Sequence, residues 1–351
     1  MVTAAALLKR NVSKTGIGAQ LGAILAAVVL FAVFLVLQGK SPWGVLADMG
    51  IGAFGSSFAW QNTLVRAAPL LLTALCTLIP AQLGLVIIGN EGAWLLGGLA
   101  TSVLGASLPP SWGIGGLLLS LAAAAVAGGF WIGLAGAGRQ WRGVDPTISS
   151  LLLYYVAWGV FLFLVEGPLR DPQSLNEPST FPLPKEFLMS SLPGTSVHAG
   201  LLVGIAACLL AWFVFFRTRL GFDARIVGEN ERLGATLGLR RSLLVVGACA
   251  VGGACAGLAG GIQIAAINHA SNASLNAGVG FSGILVAFLA RQRPLAVLLV
   301  ALLVGGLQAS GGFVQRDHNL PDATISVFQG LLFLSVLWAE AFRRDPSGGN
   351  K

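Results

Sequence analysis

Several short patterns in this chain contain residue types that can carry out chemistry, and each lacks something that the chemistry needs. Gly39-Lys40-Ser41 has the residue types that end a phosphate-binding loop, but the first glycine of such a loop is absent. Gly280-Phe-Ser-Gly283 places a serine between glycines without the spacing of a nucleophile elbow. His198, His269 and His318 have no paired spacing of the kind that binds zinc. The sequence therefore predicts no catalytic residue, no metal site and no ATPase motif, so we expect a protein that is not an enzyme.

Composition indicates which solvent surrounds the chain. Hydrophobic residues make up 55% and charged residues 10%, and the mean hydropathy is +0.81, whereas a soluble domain is about a quarter charged. These values predict a polytopic membrane protein. The net charge of +7 comes from short clusters between apolar segments, where membrane topology explains it, so we expect no nucleic-acid partner. The four cysteines lie in apolar stretches and are interpreted as small buried hydrophobic residues.

Ten apolar segments predict the fold class, which is all-α: a bundle of about ten transmembrane helices in a single domain over residues 1–351. A helix needs about 20 apolar residues to cross the bilayer. Nine segments approach that length and one is shorter; they cover residues 18–37, 64–88, 91–108, 114–137, 147–165, 197–216, 242–266, 281–290, 294–313 and 323–341. Because ten is even, both termini are expected on the same side of the membrane.

The basic residues predict that this side is the cytoplasm. Cytoplasmic termini place 16 of the 21 Lys and Arg residues inside, namely Lys9, Arg10, Lys14, Arg139, Arg142, Arg217, Arg219, Arg225, Arg232, Arg240, Arg241, Arg291, Arg293, Arg343, Arg344 and Lys351. The residues left outside are Lys40, Arg66, Arg170, Lys185 and Arg316. This distribution is the one that the positive-inside rule favours. The polar 166–196 segment is then an outer loop, long enough to cap a vestibule, and 217–241 is a cytoplasmic loop.

The cytoplasmic 217–241 loop is a long charged segment that holds six of the 21 Lys and Arg residues and three of the 14 Asp and Glu residues. Its sequence predicts a polar turn, Gly228-Glu-Asn-Glu231, followed by a short amphipathic helix that begins at Asn230 or the glycine before it. Such a helix, with Leu233 and Leu237 among its apolar residues, could dock into a groove of another protein. An ordinary solvated loop that only fixes topology is the alternative, and the residues alone do not decide between the two.

The run from Arg219 to Leu239, followed by the small-residue stretch Gly252–Gly261, resembles the cytoplasmic coupling segment of bacterial ABC-importer permeases. The subgroup carries ribose and other simple sugars, branched-chain amino acids and nucleosides, and its loop reads R-x-x-G-x-N-x-x-A-A-x-x-x-G-I. In that family the loop presses on the ATP-binding subunit. The resemblance implies ATPase-coupling roles for Arg219, Gly221, Arg225, Gly228, Glu229, Asn230, Ala235 and Gly238. Gly234 stands where the family often has alanine, and glycine is less favourable than alanine in a helix by about 1 kcal/mol.

Two further segments extend the resemblance over most of the chain. Gly89-Asn-Glu-Gly92 is similar to the family's "F-N-I-G-x-E-G-Q" motif, although Ile87-Ile88 and Ala93 depart from it, and Gly280–Leu289 matches a segment near the C-terminus. The two glycine-rich segments also echo each other and would face one pathway. The resemblance implies pathway positions at Gly89, Asn90, Glu91, Trp94, Gly280, Phe281 and Ser282. Glu91 has two open interpretations, as a carboxylate that caps its own helix or as a pathway contact.

The family resemblance implies a permease subunit in the bacterial inner membrane. Its expected partners are cytoplasmic ATP-binding subunits, a second permease subunit of the same or a paralogous type, an extracytoplasmic solute-binding protein and membrane lipid. ATP and magnesium are expected on the ATP-binding subunits, and no cofactor on this chain. The outer loop favours a nucleoside or related purine as solute, with a simple sugar second. A motor-independent carrier or channel is the alternative, but such carriers usually place ionisable groups within their spans, where this chain has few.

Overall fold

The fold is described by a computed structural model, which covers residues 14–174 and 177–344. Helices account for 78% of it, and no strand occurs in these ranges. The helices are α1 Lys14–Leu37, α2 Pro42–Phe54, α3 Ser57–Ala81, α4 Asn90–Ser107, α5 Ile114–Arg142, α6 Pro146–Glu166, α7 Gly200–Arg217, α8 Arg219–Glu229, α9 Glu231–Thr236, α10 Arg241–Gln263, α11 Val279–Leu289, α12 Pro294–His318 and α13 Ala323–Arg344. The predicted all-α class is confirmed. Lys9, Arg10 and Lys351, used above to orient the chain, lie outside the described residues.

Six of the described helices are long and apolar enough to cross a membrane. They are α3, α5, α6, α7, α10 with its extension to Asn268, and α12. A seventh crossing arises if α1 and α2, which are bent by 117° relative to each other, form one broken span. The predicted segments 91–108, 281–290 and 323–341 correspond to α4, α11 and α13, which are not among the six. The chain is therefore a multi-pass membrane protein, while the total of ten spans stays a prediction.

The chain divides into two compact units. One contains α1, residues up to Gly52 and the residues from Ser310 onward, and the other contains Ala53–Ala309. In the first unit α1 packs on α13, where the rings of Phe31 and Phe328 are 4.5 Å apart. In the same unit Asp48 Oδ2 lies 2.6 Å from His318 Nε2. The candidate site lies entirely in the second unit.

Small residues allow the central helices of the second unit to approach backbone to backbone. A Cβ added at Gly252 of α10 would lie 2.8 Å from the carbonyl oxygen of Cys76 in α3. A Cβ added at Gly257 would collide with the carbonyl oxygen of Ala124 in α5. Lipid is as apolar as the side chains, so close van der Waals packing has to replace the hydrophobic effect between membrane helices. The Gly252–Gly261 stretch therefore sets the spacing of α3, α5 and α10.

The 167–199 loop is fixed by backbone pairing with the segment that follows α10. The N–H groups of Thr180, Leu183 and Met189 donate to carbonyl oxygens of Ser271, His269 and Ala265 at 2.9, 2.8 and 2.9 Å. Apart from the short 3₁₀ turn Lys185–Phe187, the described part of this loop has no helix. Its order therefore comes from contacts with residues far away in the chain.

Candidate functional site

Glu91 lies where two helices begin. It occupies the first turn of α4, is fully buried, and is the acidic residue of that turn. Its carboxylate accepts hydrogen bonds from the backbone N–H groups that begin α11: Gly278 N lies 2.9 Å from Oε1, and Gly280 N donates to Oε2. A carboxylate is stabilised at a helix N-terminus because the free N–H groups there carry partial positive charge. Glu91 thus caps α11 from a position in α4, a geometry that neither of the two interpretations from the sequence included.

The close approach of the two helices requires a glycine. A Cβ added at Gly280 would lie 2.7 Å from the Cα of Glu91 and 2.8 Å from the carbonyl carbon of Asn90. Because any side chain at this position would push α11 away from α4, Gly280 is what lets the carboxylate reach the N–H groups. The two glycine-rich segments predicted to face one pathway therefore do lie together.

Asn90 carries a second set of buried polar contacts. Its Nδ2 donates to the carbonyl oxygen of Thr73 at 3.1 Å and to Oγ1 of Thr77 at 2.8 Å. Thr77 Oγ1 in turn donates to the carbonyl oxygen of Ile87 at 3.1 Å. Asn90 Oδ1 is buried and has no hydrogen-bond partner among the described residues. Buried polar groups without a partner are rare in proteins, so this oxygen is an acceptor that a bound molecule or water could satisfy.

Ser282 and Phe281 lie in the first turn of α11, and both contact residues outside that helix. Ser282 Oγ donates to the carbonyl oxygen of Gly278 at 3.0 Å and accepts from Gln308 Nε2 in α12 at 3.1 Å. The ring of Phe281 meets that of Tyr154 edge-on, with centroids 5.2 Å apart. Amide, hydroxyl and aromatic groups thus surround the start of α11.

The remaining pathway candidates have packing contacts. Trp94 is almost fully buried, and its Nε1 donates to the carbonyl oxygen of Leu275 at 3.0 Å, so it fixes the segment before α11. Gly89 lies against the backbone of Ser150 in α6, where a Cβ would collide with the carbonyl oxygen. Both residues hold the start of α4 in place.

Sequence reasoning missed several residues that complete this cluster. Thr73 and Thr77 accept hydrogen bonds from Asn90, and Gln308 donates to Ser282. The ring of Tyr154 packs on Phe281, and its hydroxyl lies 3.5 Å from Oδ1 of Asn276. Thr73, Thr77 and Gln308 could have been predicted from the sequence, because they are polar residues inside otherwise apolar spans.

A cavity of about 560 Å³ lies between the C-terminal half of α4 and the 167–199 loop. Ser102, Ser107, Thr180, Phe181 and Pro182 are among the residues that line it. Its polar groups are hydroxyls, and none of the lining residues is charged. No side chain that lines this cavity therefore offers a charge to a bound molecule.

The 219–236 segment, predicted to couple the chain to an ATPase, is two helices rather than a turn and one helix. Helix α8 continues to Glu229, and Asn230 is the non-helical residue before α9 begins at Glu231. The predicted four-residue turn over Gly228–Glu231 is therefore wrong. The predicted start of the second helix is confirmed, because Asn230 Oδ1 accepts from the N–H of Leu233 at 3.1 Å as an N-cap does.

Helix α9 exposes an apolar edge. Leu233 in α9 is 48% exposed, and Leu237, which directly follows the last residue of α9, is 56% exposed. The N–H of Leu237 still donates to the carbonyl oxygen of Leu233 at 3.1 Å, so the two side chains lie on the same side. Gly238 ends the helix with a left-handed backbone at φ +69°, the conformation that favours glycine at a C-cap. Gly234 packs on α8, where a Cβ would lie 2.9 Å from Cγ2 of Val227. The glycine that departs from the family pattern thus lets α9 fold back against α8; Ala235 also lies in α9.

Arg225 holds the corner between α7 and α8. Its Nε donates to the carbonyl oxygen of Gly221 at 3.3 Å, its Nη2 donates to the carbonyl oxygen of Phe215, and its guanidinium lies 4.9 Å from the ring centroid of Phe216. Gly221 is buried in this corner, where a side chain would collide with the backbone of Phe215. By contrast, Arg219 and Glu229 are exposed. Of the three charged residues predicted to couple to the ATPase, Arg219 and Glu229 are exposed, whereas Arg225 is half-buried.

The residues that suggested other chemistry do not assemble into a site. In the described ranges no group of three His, Cys, Asp or Glu residues could hold a metal ion. The four cysteines are free thiols, and three of them are buried. His318 pairs with Asp48, as noted above.

Comparison with known proteins agrees with the resemblance seen in the sequence. The family described as "Branched-chain amino acid transport system / permease component" matches residues 59–337. A glucose ABC transporter permease protein of Haloferax volcanii is 34% identical over 93% of this chain and 88% of its own length. A guanosine ABC transporter permease protein of Bacillus subtilis is 26% identical, with 92% and 93% covered, and a nucleoside ABC transporter permease protein of Lactococcus lactis is 26% identical, with 89% and 88% covered. No solved structure matches the chain.

Proposed function

The chain belongs to the family of branched-chain amino acid transport system permease components, and we propose that it is the membrane subunit of an ATP-driven ABC importer. The observation that carries the proposal is the 219–236 segment, in which Asn230 caps α9 and the exposed Leu233 forms an apolar edge with Leu237, the residue that follows the segment. A short amphipathic helix of this kind fits a groove on a partner protein. The partner proposed for it is the cytoplasmic ATP-binding subunit, which would hold ATP and magnesium.

The proposed topology has both termini and the 219–236 segment in the cytoplasm. The bias of basic residues supports this orientation. In this arrangement the starts of α4 and α11 meet, because Glu91 in the first turn of α4 accepts hydrogen bonds from Gly278 and Gly280 at the start of α11. The turn after α11 meets the end of α3, since Gln82 Nε2 donates to the carbonyl oxygen of Gln292. Irregular backbone at membrane depth is stable only beside protein or water, which is typical of the broken helices in transporters.

The cluster around Glu91 is proposed as the solute pathway, and the cavity under the 167–199 loop as its outer mouth. The carboxylate of Glu91 is already bound by backbone N–H groups. The polar and aromatic groups beside it are neutral: Asn90 Oδ1, the Ser282 hydroxyl with its Gln308 amide partner, and the Phe281 ring. These groups favour a neutral solute that carries hydroxyl or amide groups over a charged amino acid.

A nucleoside or related purine is the first candidate solute, because Phe281 and Tyr154 offer aromatic surface next to amide groups, and base–aromatic stacking is worth about 1–3 kcal/mol. Relatives named for guanosine and nucleoside transport support it. A simple sugar is the second candidate, favoured by the relative named for glucose transport. An extracytoplasmic binding protein would deliver the solute, and a second permease subunit would complete the membrane unit.

Uptake into proteoliposomes tests the proposal. The chain is reconstituted with its ATP-binding subunits, binding protein and any second permease, and uptake of labelled guanosine and labelled D-glucose is measured with MgATP. We expect uptake of one of the two that requires ATP hydrolysis and ceases without the binding protein. Ion-driven uptake by this chain alone would instead establish the motor-independent carrier.

A further inference from the structure

Gln82 lies where two distant parts of the second unit meet. Its side-chain Nε2 donates to the carbonyl oxygen of Gln292, in the turn between α11 and α12, at 3.2 Å. Its own carbonyl oxygen faces the end of α8: a Cβ added at Gly228 would lie 2.6 Å from it and 3.0 Å from Leu83 Cα. Gly228 therefore has no room to move toward Gln82 without displacing it. One residue thus connects the 219–236 segment with the turn after α11.

The turn that Gln82 contacts has an unusual backbone. Arg291 and Gln292 have φ values of +52° and +54°, so two consecutive residues other than glycine adopt the left-handed conformation. Such residues are uncommon in this region and keep the conformation only where their surroundings enforce it. The turn is closed by the N–H of Gln292, which donates to the carbonyl oxygen of Ala287 at 2.9 Å. The hydrogen bond from Gln82 Nε2 to the Gln292 carbonyl oxygen therefore helps to stabilise this turn.

The other end of α11 is bound to Glu91. The helix has 11 residues, so it is about 16 Å long at 1.5 Å per residue. Its start donates to the Glu91 carboxylate through Gly278 and Gly280, and Gly283 lies against α3, where a Cβ would be 2.6 Å from Thr73 Cβ. Because α11 is short and contacts its neighbours at both ends, it moves as a rigid body. A shift of the turn after α11 therefore changes the hydrogen-bond distances at Glu91.

From these contacts we infer that Gln82 is a positioning residue, through which the 219–236 segment sets the position of α11 over Glu91. The inference rests on the coupling role proposed above for that segment. When α8 shifts, Gly228 moves the backbone of Gln82, and the Gln82 side chain carries the movement to the Gln292 carbonyl. The start of α11 then changes its distance from Glu91, which alters access to Ser282 and Phe281 beside it.

Hydrogen–deuterium exchange of the complex in lipid nanodiscs tests this relay. The complete importer is compared without nucleotide and with MgATP plus vanadate, as wild type and as Gln82→Met. Methionine has a similar length but cannot donate to the Gln292 carbonyl. A second variant, Gln82→Met with Gln292→Gly, gives the turn a residue that adopts the left-handed conformation without strain. Gln140→Met, near the end of α5, is the control, because it makes the same exchange of glutamine for methionine in another helix.

We expect nucleotide to change exchange in both 231–236 and 278–293 in wild type and in Gln140→Met. In Gln82→Met the change in 231–236 remains, while the change in 278–293 falls at least several-fold. The turn amides of Gln82→Met also exchange faster without nucleotide, and Gln292→Gly restores their slower exchange. An undiminished response of 278–293 in Gln82→Met would overturn the relay and leave the proposed function intact. A wild-type complex without any nucleotide response in 231–236 would overturn the proposed coupling, and the relay with it.

Discussion

Glu91 and Gly278 are separated by 187 positions in the chain, yet the carboxylate oxygen of one lies 2.9 Å from the backbone nitrogen of the other. The bond joins the first turn of α4 to the start of α11. It gives the buried carboxylate a partner and gives α11 an N-cap that its own sequence lacks, since Gly278 has no side chain. The two helices are therefore coupled at the point where both begin.

Replacing Glu91 by Gln should lower stability. The amide keeps one acceptor oxygen but turns an NH₂ group toward one of the two backbone N–H donors, leaving that donor without a partner. Hydrogen bonds to charged groups contribute about 1.5–3 kcal/mol, so we expect a clear drop in the apparent thermal midpoint in detergent and faster exchange of the Gly278 and Gly280 amides. Glu166→Gln, at the exposed end of α6, is the matched control. Unchanged exchange at Gly280 would contradict the capping role.

The same variant also separates the two interpretations of Glu91 in transport. If Glu91 acts only as a cap, Glu91→Gln lowers the thermal midpoint while uptake per ATP hydrolysed stays near wild type once folded protein is normalised. If it also contacts the solute, the solute concentration for half-maximal uptake rises as well.

Adding a methyl group at Gly228 should disturb the contact between α8 and the turn after α3. In Gly228→Ala the new Cβ would lie 2.6 Å from the Gln82 carbonyl oxygen, so backbone has to shift. Overpacking of this kind costs about 1–3 kcal/mol, and we expect solute-stimulated ATP hydrolysis to fall. Gly247→Ala is the control, because that position in α10 has nothing within 4 Å of the added atom. Equal ATPase stimulation in the two variants would argue against a role of this contact in coupling.

Removing the Asn230 side chain should loosen α9. Asn230→Ala deletes the acceptor of the Leu233 N–H, and loss of an N-cap costs about 1 kcal/mol. We expect faster exchange of the 231–236 amides and weaker binding of the ATP-binding subunit. Asn230→Ser retains a capping oxygen and should restore most of both. Binding that is equally weak in the serine variant would point instead to a direct contact by the asparagine.

Arg225 and Glu229 should behave differently, although both were predicted as coupling residues. Arg225→Gln removes the guanidinium from the Phe215 and Gly221 carbonyl oxygens, so the corner between α7 and α8 should lose stability. Glu229→Gln changes only an exposed charge, and its effect should be confined to ATPase stimulation. Thermal midpoints and ATPase rates of the two variants measure the difference. A thermal midpoint of Arg225→Gln equal to wild type would show that the corner does not depend on this side chain.

Asp145 should make the thermal stability of the protein depend on pH in the acidic range. It caps α6, and the backbone N–H groups of Thr147 and Ile148, at 2.8 and 3.3 Å, hold the pKa of its carboxyl below its usual range. A lowered folded-state pKa adds stability above the unfolded pKa of about 3.9, and this stability is lost as the pH falls through the folded value. The thermal midpoint of wild type should therefore fall more steeply below pH 4 than that of Asp145→Asn, which caps without titrating. Parallel curves would show that the capped carboxylate contributes nothing.

Local pattern was sufficient for some of the candidate site. The apolar segment 64–88 predicted a long helix, and α3 covers Ser57–Ala81, whose backbone hydrogen bonds join residues four apart. The cap at Asn230 was expected from its side chain, which has a local partner three residues on. In both cases the interacting groups are neighbours in the chain. Helix α2 was missed because Pro42–Phe54 is only 13 residues long and carries an acid.

The sequence by itself determined that this chain is a helical membrane protein of a permease family, because a bilayer requires long apolar helices and the 219–239 pattern is local. Only the tertiary structure decided that Glu91 caps α11, that Arg225 supports a corner and that Gln82 reaches the Gln292 carbonyl. The physical reason is the same in each case: the partner is a backbone N–H or C=O group. Almost every residue carries such groups, so residue types give no sign of which one a distant side chain will meet.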